Sequence, residues 1–216
     1  MKRKALFITF EGPEGAGKST QIKLLHDYLV QKGYEVTVTR EPGGTPLAED
    51  FRNIVKHYQG DEPLFDQTEL LLFAAARSQH VNYLIKPALE AGRIVLCDRF
   101  IDSTEAYQGA GRTLDMDFLH RLNDFAINGC RPDLTLLLDL PVEIGLSRAQ
   151  VRAAGKENYN DRLEAEKIDF HQRVRNSYLA IAAREPQRVK VLDARLGIEE
   201  LFAQLKKQVD DALSEV

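Results

Sequence analysis

The sequence predicts a three-layer α/β/α fold on a five-stranded parallel sheet, and two observations carry that reading. Short apolar runs alternate with longer helical patterns along the 216 residues, which is the pattern of a parallel sheet covered on both faces. The first apolar run leads directly into Gly12-Pro13-Glu14-Gly15-Ala16-Gly17-Lys18-Ser19-Thr20 and a helical pattern follows, the strand–loop–helix setting of a phosphate-binding loop. A chain of this length with 44% hydrophobic residues can bury one substantial core, so one domain over residues 1–216 is expected.

Each element has its own signal. Strands are expected at residues 5–10, 34–40, 93–98, 134–140 and 188–192, each rich in Val, Ile, Leu, Phe or Thr and bounded by Gly, Pro or charge. Helices are expected at 18–31, 46–57, 67–90, 115–128, 142–152, 165–184 and 198–213, with Gly33 and Gly92 as C-terminal stops. In such a sheet ligands bind beyond the carboxyl ends of the strands, so the residues after each strand are where chemistry is expected.

The glycine loop follows the first strand. Gly12, Gly15 and Gly17 let the backbone wrap closely round phosphate oxygens with N–H groups pointing inward, and the helix N-terminus adds positive potential. Lys18 is placed to reach the β- and γ-phosphates of a nucleoside triphosphate, and the Ser19 hydroxyl to hold Mg²⁺. After the second strand, Thr39-Arg40-Glu41-Pro42-Gly43-Gly44-Thr45 is a tight exposed turn, either a site or an ordinary connector. After the third, Asp98 offers a carboxylate for the Mg²⁺ shell and Arg99 a guanidinium for a second phosphate.

Three segments read two ways. Phe73 and Arg77 are four apart on one helix face, so they either hold a planar base or are a packed ring and a solvated charge. Ser103 to Gly109 offers hydroxyls and a ring for a sugar and base edge, or is merely a polar loop. Residues 148–163 carry Arg148, Arg152, Lys156 and Arg162 around Gly155; this is either a lid that brings an arginine to a transferring phosphoryl group, or a solvated helix face.

Composition narrows the class. A net charge of −4 without a long basic run argues against a nucleic-acid polymer as partner and points to small molecules. Cys97 and Cys130 give neither a disulfide framework nor metal-ligand spacing, which fits a reducing compartment. The start Met1-Lys2-Arg3-Lys4 leads into too few apolar residues for a secretory signal, and no stretch approaches a membrane span; the cytoplasm is expected.

The phosphate loop, Thr39 to Thr45, Leu71-Leu72-Phe73-Ala74-Ala75-Ala76-Arg77, Asp98-Arg99-Phe100, Ser103 to Gly109 and Asp193-Ala194 together resemble the thymidylate kinase family, in its order and over nearly the whole chain. The resemblance implies transfer of the γ-phosphoryl group of ATP to dTMP, giving dTDP and ADP. It also implies a P-loop NTPase-type fold with a short helical lid, Mg²⁺ as cofactor and a homodimer. By the same resemblance Phe73 stacks on thymine, Arg77 hydrogen-bonds its O4 edge, Thr104 faces the base and Tyr107 crowds the sugar 2′ position. Pro42 and Gln108 lie in the dTMP pocket, Glu14 meets the 3′-hydroxyl, Arg99 binds the dTMP phosphate and Asp98 serves the magnesium site. Ala16 stands where some members carry a basic residue in the loop, so the missing charge is assigned to the lid, with Arg148 and Arg152 as candidates and Arg162 nearby.

A phosphate acceptor is already ionised near neutral pH, so this reaction needs alignment and charge neutralisation rather than a general base. The alternative enzyme reading is a deoxynucleoside kinase or another P-loop nucleotide kinase; the former would call for a carboxylate base, and Arg99 favours a phosphorylated acceptor. The non-enzyme alternative is a nucleotide-dependent switch or ATP-binding module, although the chain has neither Asn-Lys-x-Asp nor Asp-x-x-Gly.

Overall fold

The computed structural model describes residues 5–154 and 162–215. Five strands, β1 (Leu6–Glu11), β2 (Val36–Arg40), β3 (Ile94–Asp98), β4 (Leu134–Asp139) and β5 (Val189–Asp193), form one parallel sheet in the order β2-β3-β1-β4-β5. The register pairs Phe10 with Asp98 and Asp98 with Arg40, which brings the ends of three strands to the same edge.

Side-chain alternation on β1 divides the core. Leu6, Ile8 and Phe10 pack with Leu25 and Leu29 of α1 (Lys18–Gln31) and Leu205 and Val209 of α9 (Ile198–Glu215). On the opposite face Phe7 packs with Val95, Cys97 and Phe100, and Thr9 Oγ1 bonds Thr135 Oγ1 at 2.7 Å in the interior. Phe100 meets Phe7 edge to face at 4.9 Å.

Helix boundaries follow their caps. The Thr45 side chain accepts from Ala48 N and Pro46 sits at the start of α2 (Pro46–His57). Asp115 caps α6 (Met116–Ile127), which ends on left-handed Asn128. Helices α7 (Val142–Ala153) and α8 (Ile168–Arg184) cover the β4 side of the phosphate loop.

Two segments depart from expectation. The single helix expected over 67–90 is α3 (Asp66–His80), a π-helical turn (Val81–Ile85) and α4 (Lys86–Glu90). Pro87 has no N–H to continue the ordinary ladder, and just before it Lys86 N reaches back five residues to Val81 O. Residues 103–109, expected either to read a sugar and base edge or to be merely a polar loop, are helical, as α5 (Ile101–Thr104) running into a π-helix (Glu105–Gly111). Its polar side chains are buried against distant partners. Asp102 pairs with Arg188 at 2.7 Å, Glu105 with Arg184 at 2.8 Å, and Gln108 donates to Glu69 at 2.9 Å. No helix among the described residues is long and apolar enough to cross a membrane.

Candidate active site

The phosphate loop is held open by its glycines. Gly12 and Gly15 have φ of 134° and 72°, and a Cβ on either would stand 2.3 Å from the carbonyl oxygen of Leu138 or Gly145. The loop therefore lies flat against β4 and α7, with its curvature fixed by backbone packing. Inside it, Lys18 Nζ donates to the carbonyls of Gly12 and Pro13, both at 3.1 Å. Burial lowers the Lys18 pKa, and the nearby Arg99 adds to the effect; Glu14, Asp98 and Glu11 oppose it. This is a desolvated ammonium short of negative charge.

Beside the loop is a cavity of about 600 Å³. Its walls include Glu14, Gly15, Ala16, Gly17, Lys18, Ser19 and Thr20 from the loop, Pro42, Phe73 from α3, Asp98 and Arg99 from the end of β3, Tyr107 and Gln108 from the π-helix, and Arg148 from α7. Most of the residues singled out in sequence thus converge on one space. Gly12 and Pro13 lie beneath it as acceptors for Lys18.

Arg99 is the most constrained residue there. It is one of the non-glycine residues in the left-handed region, with φ of 69°, and its own N–H bonds Phe10 O at 2.9 Å. Its Nη2 meets Glu14 Oε1 at 2.5 Å, its Nη1 donates towards Gly12 O, Ser103 Oγ and Tyr178 OH at 3.1–3.2 Å, and its guanidinium carbon is 4.9 Å from the Tyr107 ring centre. Burial opposes this charge, but Tyr107 and Glu14 outweigh it and the group is held well above its ordinary value. Burial pushes the Tyr107 phenol up despite Arg99.

The magnesium expectation meets a suitable donor set. Asp98 Oδ1 is buried and has no hydrogen-bond partner among the described residues, while Ser19 Oγ approaches Asp98 Oδ2 at 3.5 Å. One carboxylate and one hydroxyl next to the glycine loop suit a hard cation that prefers oxygen donors.

Two residues expected at the base, Arg77 and Thr104, are also not on the cavity wall. Arg77 is 1% exposed and neither a solvated charge nor a free hand. Its Nε donates to Glu41 at 2.8 Å, Nη1 to Asn123 Oδ1 at 2.7 Å and Nη2 to Phe100 O at 3.1 Å, and Glu41 Oε1 is 3.0 Å from His80 Nδ1. Thr104 is equally buried, and its Oγ1 has no partner among the described residues. Phe73, by contrast, presents its ring to the cavity at the edge of a cluster with Tyr107, Phe170 and Tyr178.

In the segment expected as a lid, Arg148 on α7 donates from Nη1 to Gly15 O at 3.3 Å and Ala194 O at 3.2 Å, which ties α7 to the glycine loop. Arg162 turns away towards α2 and α3, donating to Val55 O at 3.0 Å and Glu69 at 3.3 Å. The side chain of Arg152, and residues 155–161 of the expected lid, lie outside the described residues.

Sequence reasoning missed several residues at this site. Arg52, Lys56 and His57 from α2 also line the cavity, and their signal was a basic i, i+4 pair on one helix face. Glu11 and Tyr178 support Arg99 from behind, and Tyr178 comes from α8 with no local signal.

The comparisons agree with this geometry. The thymidylate kinase family model matches residues 10–205. Thymidylate kinase from Geobacter sulfurreducens is 52% identical over 194 residues, 89% of this chain and 91% of that protein, and that from Thermomicrobium roseum is 55% identical over 193 residues, 89% of each. The crystal structure of thymidylate kinase from Ehrlichia chaffeensis superposes with a TM-score of 0.77 at 36% identity, covering 95% of this chain and 99% of that one. With a parallel five-stranded sheet, a glycine loop closed on a buried lysine, and sequence identity of about half across nine-tenths of its length, the chain belongs to the thymidylate kinase family.

Proposed function

We propose that this enzyme transfers the γ-phosphoryl group of ATP to dTMP, giving ADP and dTDP. The observation that carries the reading is the convergence of Lys18, Arg99 and the Phe73 ring on one cavity. Lys18 would hold the β- and γ-phosphates of the donor and Arg99 the phosphate of the acceptor, so two anions are aligned by two cations on rigid elements. Glu14, beside Arg99, faces the acceptor sugar and holds the guanidinium in place. Thr104, whose hydroxyl has no partner among the described residues, and Gln108, whose amide nitrogen is committed to Glu69, serve the base; Tyr107 and Pro42 close the pocket around the sugar. Ser19 and Asp98 would hold Mg²⁺, which would neutralise phosphate charge there. A screen of nucleoside monophosphates with ATP tests the reading: ADP formation dependent on dTMP supports it, and ADP formation indifferent to the monophosphate overturns it.

Ala16 leaves the loop with no basic residue besides Lys18, and Arg148 stands beside Gly15 at the cavity. Arg148→Ala is expected to lower kcat by about 10³-fold with a smaller change in the dTMP KM, as for an arginine that neutralises the moving group. Single-turnover kinetics check it; an unchanged rate removes Arg148 from the transition state.

A homodimer is the proposed assembly. Leu47 and Ile54 on α2, Leu71 on α3, and Phe118 and Phe125 on α6 are exposed on neighbouring helices, and Phe125 is 81% exposed. Two buried free thiols, Cys97 and Cys130, both pushed up by burial, suit the cytoplasm as location.

A further inference from the structure

Three oxygens form a closed triangle behind Arg99. Ser103 Oγ lies 2.6 Å from Glu11 Oε2, Tyr178 OH lies 2.9 Å from the same oxygen, and the two hydroxyls are 2.7 Å apart. Every edge is a hydrogen-bond distance, and every edge needs a hydrogen. The two hydroxyls supply one each, so an ionised Glu11 leaves an edge bare. A proton on Oε2 fills it: Glu11 donates to Tyr178, Tyr178 to Ser103 and Ser103 back to Glu11. Each hydroxyl oxygen then keeps a lone pair for Arg99 Nη1, which shares its two hydrogens among Tyr178 OH at 3.1 Å, Ser103 Oγ at 3.2 Å and Gly12 O at 3.2 Å. The other carboxyl oxygen, Oε1, only accepts, from Phe100 N at 2.7 Å and Ser103 N at 3.3 Å, as the carbonyl oxygen of a neutral acid does.

We propose that Glu11 is a positioning residue that works as a neutral acid, its proton closing the hydroxyl ring that seats Arg99 while leaving the guanidinium charge to the acceptor phosphate. The inference rests on Arg99 as the ligand of that phosphate. An ionised Glu11 would place a second carboxylate behind a guanidinium that Glu14 already pairs, and would compete with the incoming anion. Burial and the charge of Asp102 push Glu11 up to about 7, against the pull of Ser103 and Arg99. The titratable groups facing it are Asp102 on α5, itself paired with Arg188, Arg99 after β3, Lys18 on α1, Cys97 on β3, Tyr107 on the π-helix and Tyr178 on α8.

The test is the dTMP KM against pH for wild type, Glu11→Gln and Arg99→Ala. Wild type is expected to lose dTMP affinity by about tenfold as pH rises through the Glu11 transition, with the ATP KM unmoved. The acceptor's own second ionisation, near pH 6, acts below this range and in the opposite sense. Glu11→Gln, uncharged and able to supply the ring's hydrogens, is expected to keep kcat and the neutral-pH KM within a few-fold and to lose the alkaline rise. A Glu11→Gln variant whose dTMP KM is raised tenfold or more at every pH would show an ionised anchor and overturn the inference. So would a flat wild-type profile above neutrality, a measurement that does not depend on how the variant folds. Arg99→Ala separates the two readings: an unchanged dTMP KM there removes Arg99 from the acceptor phosphate, whereas a raised KM with a flat wild-type profile removes only Glu11.

Discussion

Lys18→Ala is expected to cut turnover by several orders of magnitude while leaving the fold intact. In a phosphoryl transfer between two nucleotides the protein supplies mainly position and charge, and in the proposed reaction Lys18 would supply both at the donor phosphates. The side chain is almost fully buried, and its only hydrogen bonds among the described residues go to the Gly12 and Pro13 carbonyls. These are neutral acceptors, and burial and Arg99 work against the charge, so in the proposed function this cation would gain its partner from the triphosphate. Removing it costs the folded state little, because Gly12 and Gly15 set the loop's curvature through packing against Leu138 and Gly145. Thermal melting should therefore be nearly unchanged while kcat collapses. Near-normal turnover in the variant would refute the phosphate-loop assignment; a collapse of melting temperature would show that Lys18 is structural.

What the sequence disclosed, and what it hid, divides along the range of the interactions. Helices α1 and α2 fall on the expected residues 18–31 and 46–57, because a glycine loop and a Thr-Pro start are local signals. The phosphate loop, Asp98 and Arg99 were legible for the same reason: the chemistry is written in adjacent residues. Residues 103–109 read either as a site segment or as a polar loop, and their helical form was not legible because Asp102, Glu105 and Gln108 are satisfied by Arg188, Arg184 and Glu69, none of them near in sequence. Glu11 and Tyr178 are 167 residues apart, and nothing in either neighbourhood announces their bond. Arg77 is the instructive half-success. Helical spacing put it on the face of Phe73, but spacing is silent on depth, and the guanidinium belongs to a buried network with Glu41, His80 and Asn123.

That depth changes what Arg77 is expected to do when altered, and it makes the choice of base the sharpest test. A guanidinium has five N–H groups; hydrogen bonds to Glu41 from Nε, to Asn123 from Nη1 and to Phe100 O from Nη2 engage three, and Nη2 also lies 2.7 Å from Glu41 Oε2 as an ion pair, which leaves one N–H on Nη1 beyond the partners described. A donor fixed on three sides cannot turn to suit its ligand. Thymine stacked on Phe73 would offer its O4 acceptor to that donor, whereas cytosine presents an amino group, and the unpaired buried polar groups then exclude it. Wild type is expected to prefer dTMP over dCMP by at least about 10³ in kcat/KM. Phe73→Ala should weaken dTMP binding by about 1–3 kcal/mol and leave the preference intact, since stacking is tolerant of base identity. Arg77→Ala strips Glu41, only 5% exposed, of its cation, and is expected to cost about 3–5 kcal/mol of stability, so it cannot report cleanly on specificity. Arg77→Lys keeps a charge for Glu41 but loses the planar fork that fixes the last donor. That variant should melt closer to wild type than Arg77→Ala and lose most of the dTMP margin. Steady-state kinetics with dTMP, dUMP and dCMP, read beside melting curves, decide it: equal wild-type efficiency for dCMP and dTMP would sink the thymidylate reading, and an undiminished margin in Arg77→Lys would show that the buried network serves the fold alone.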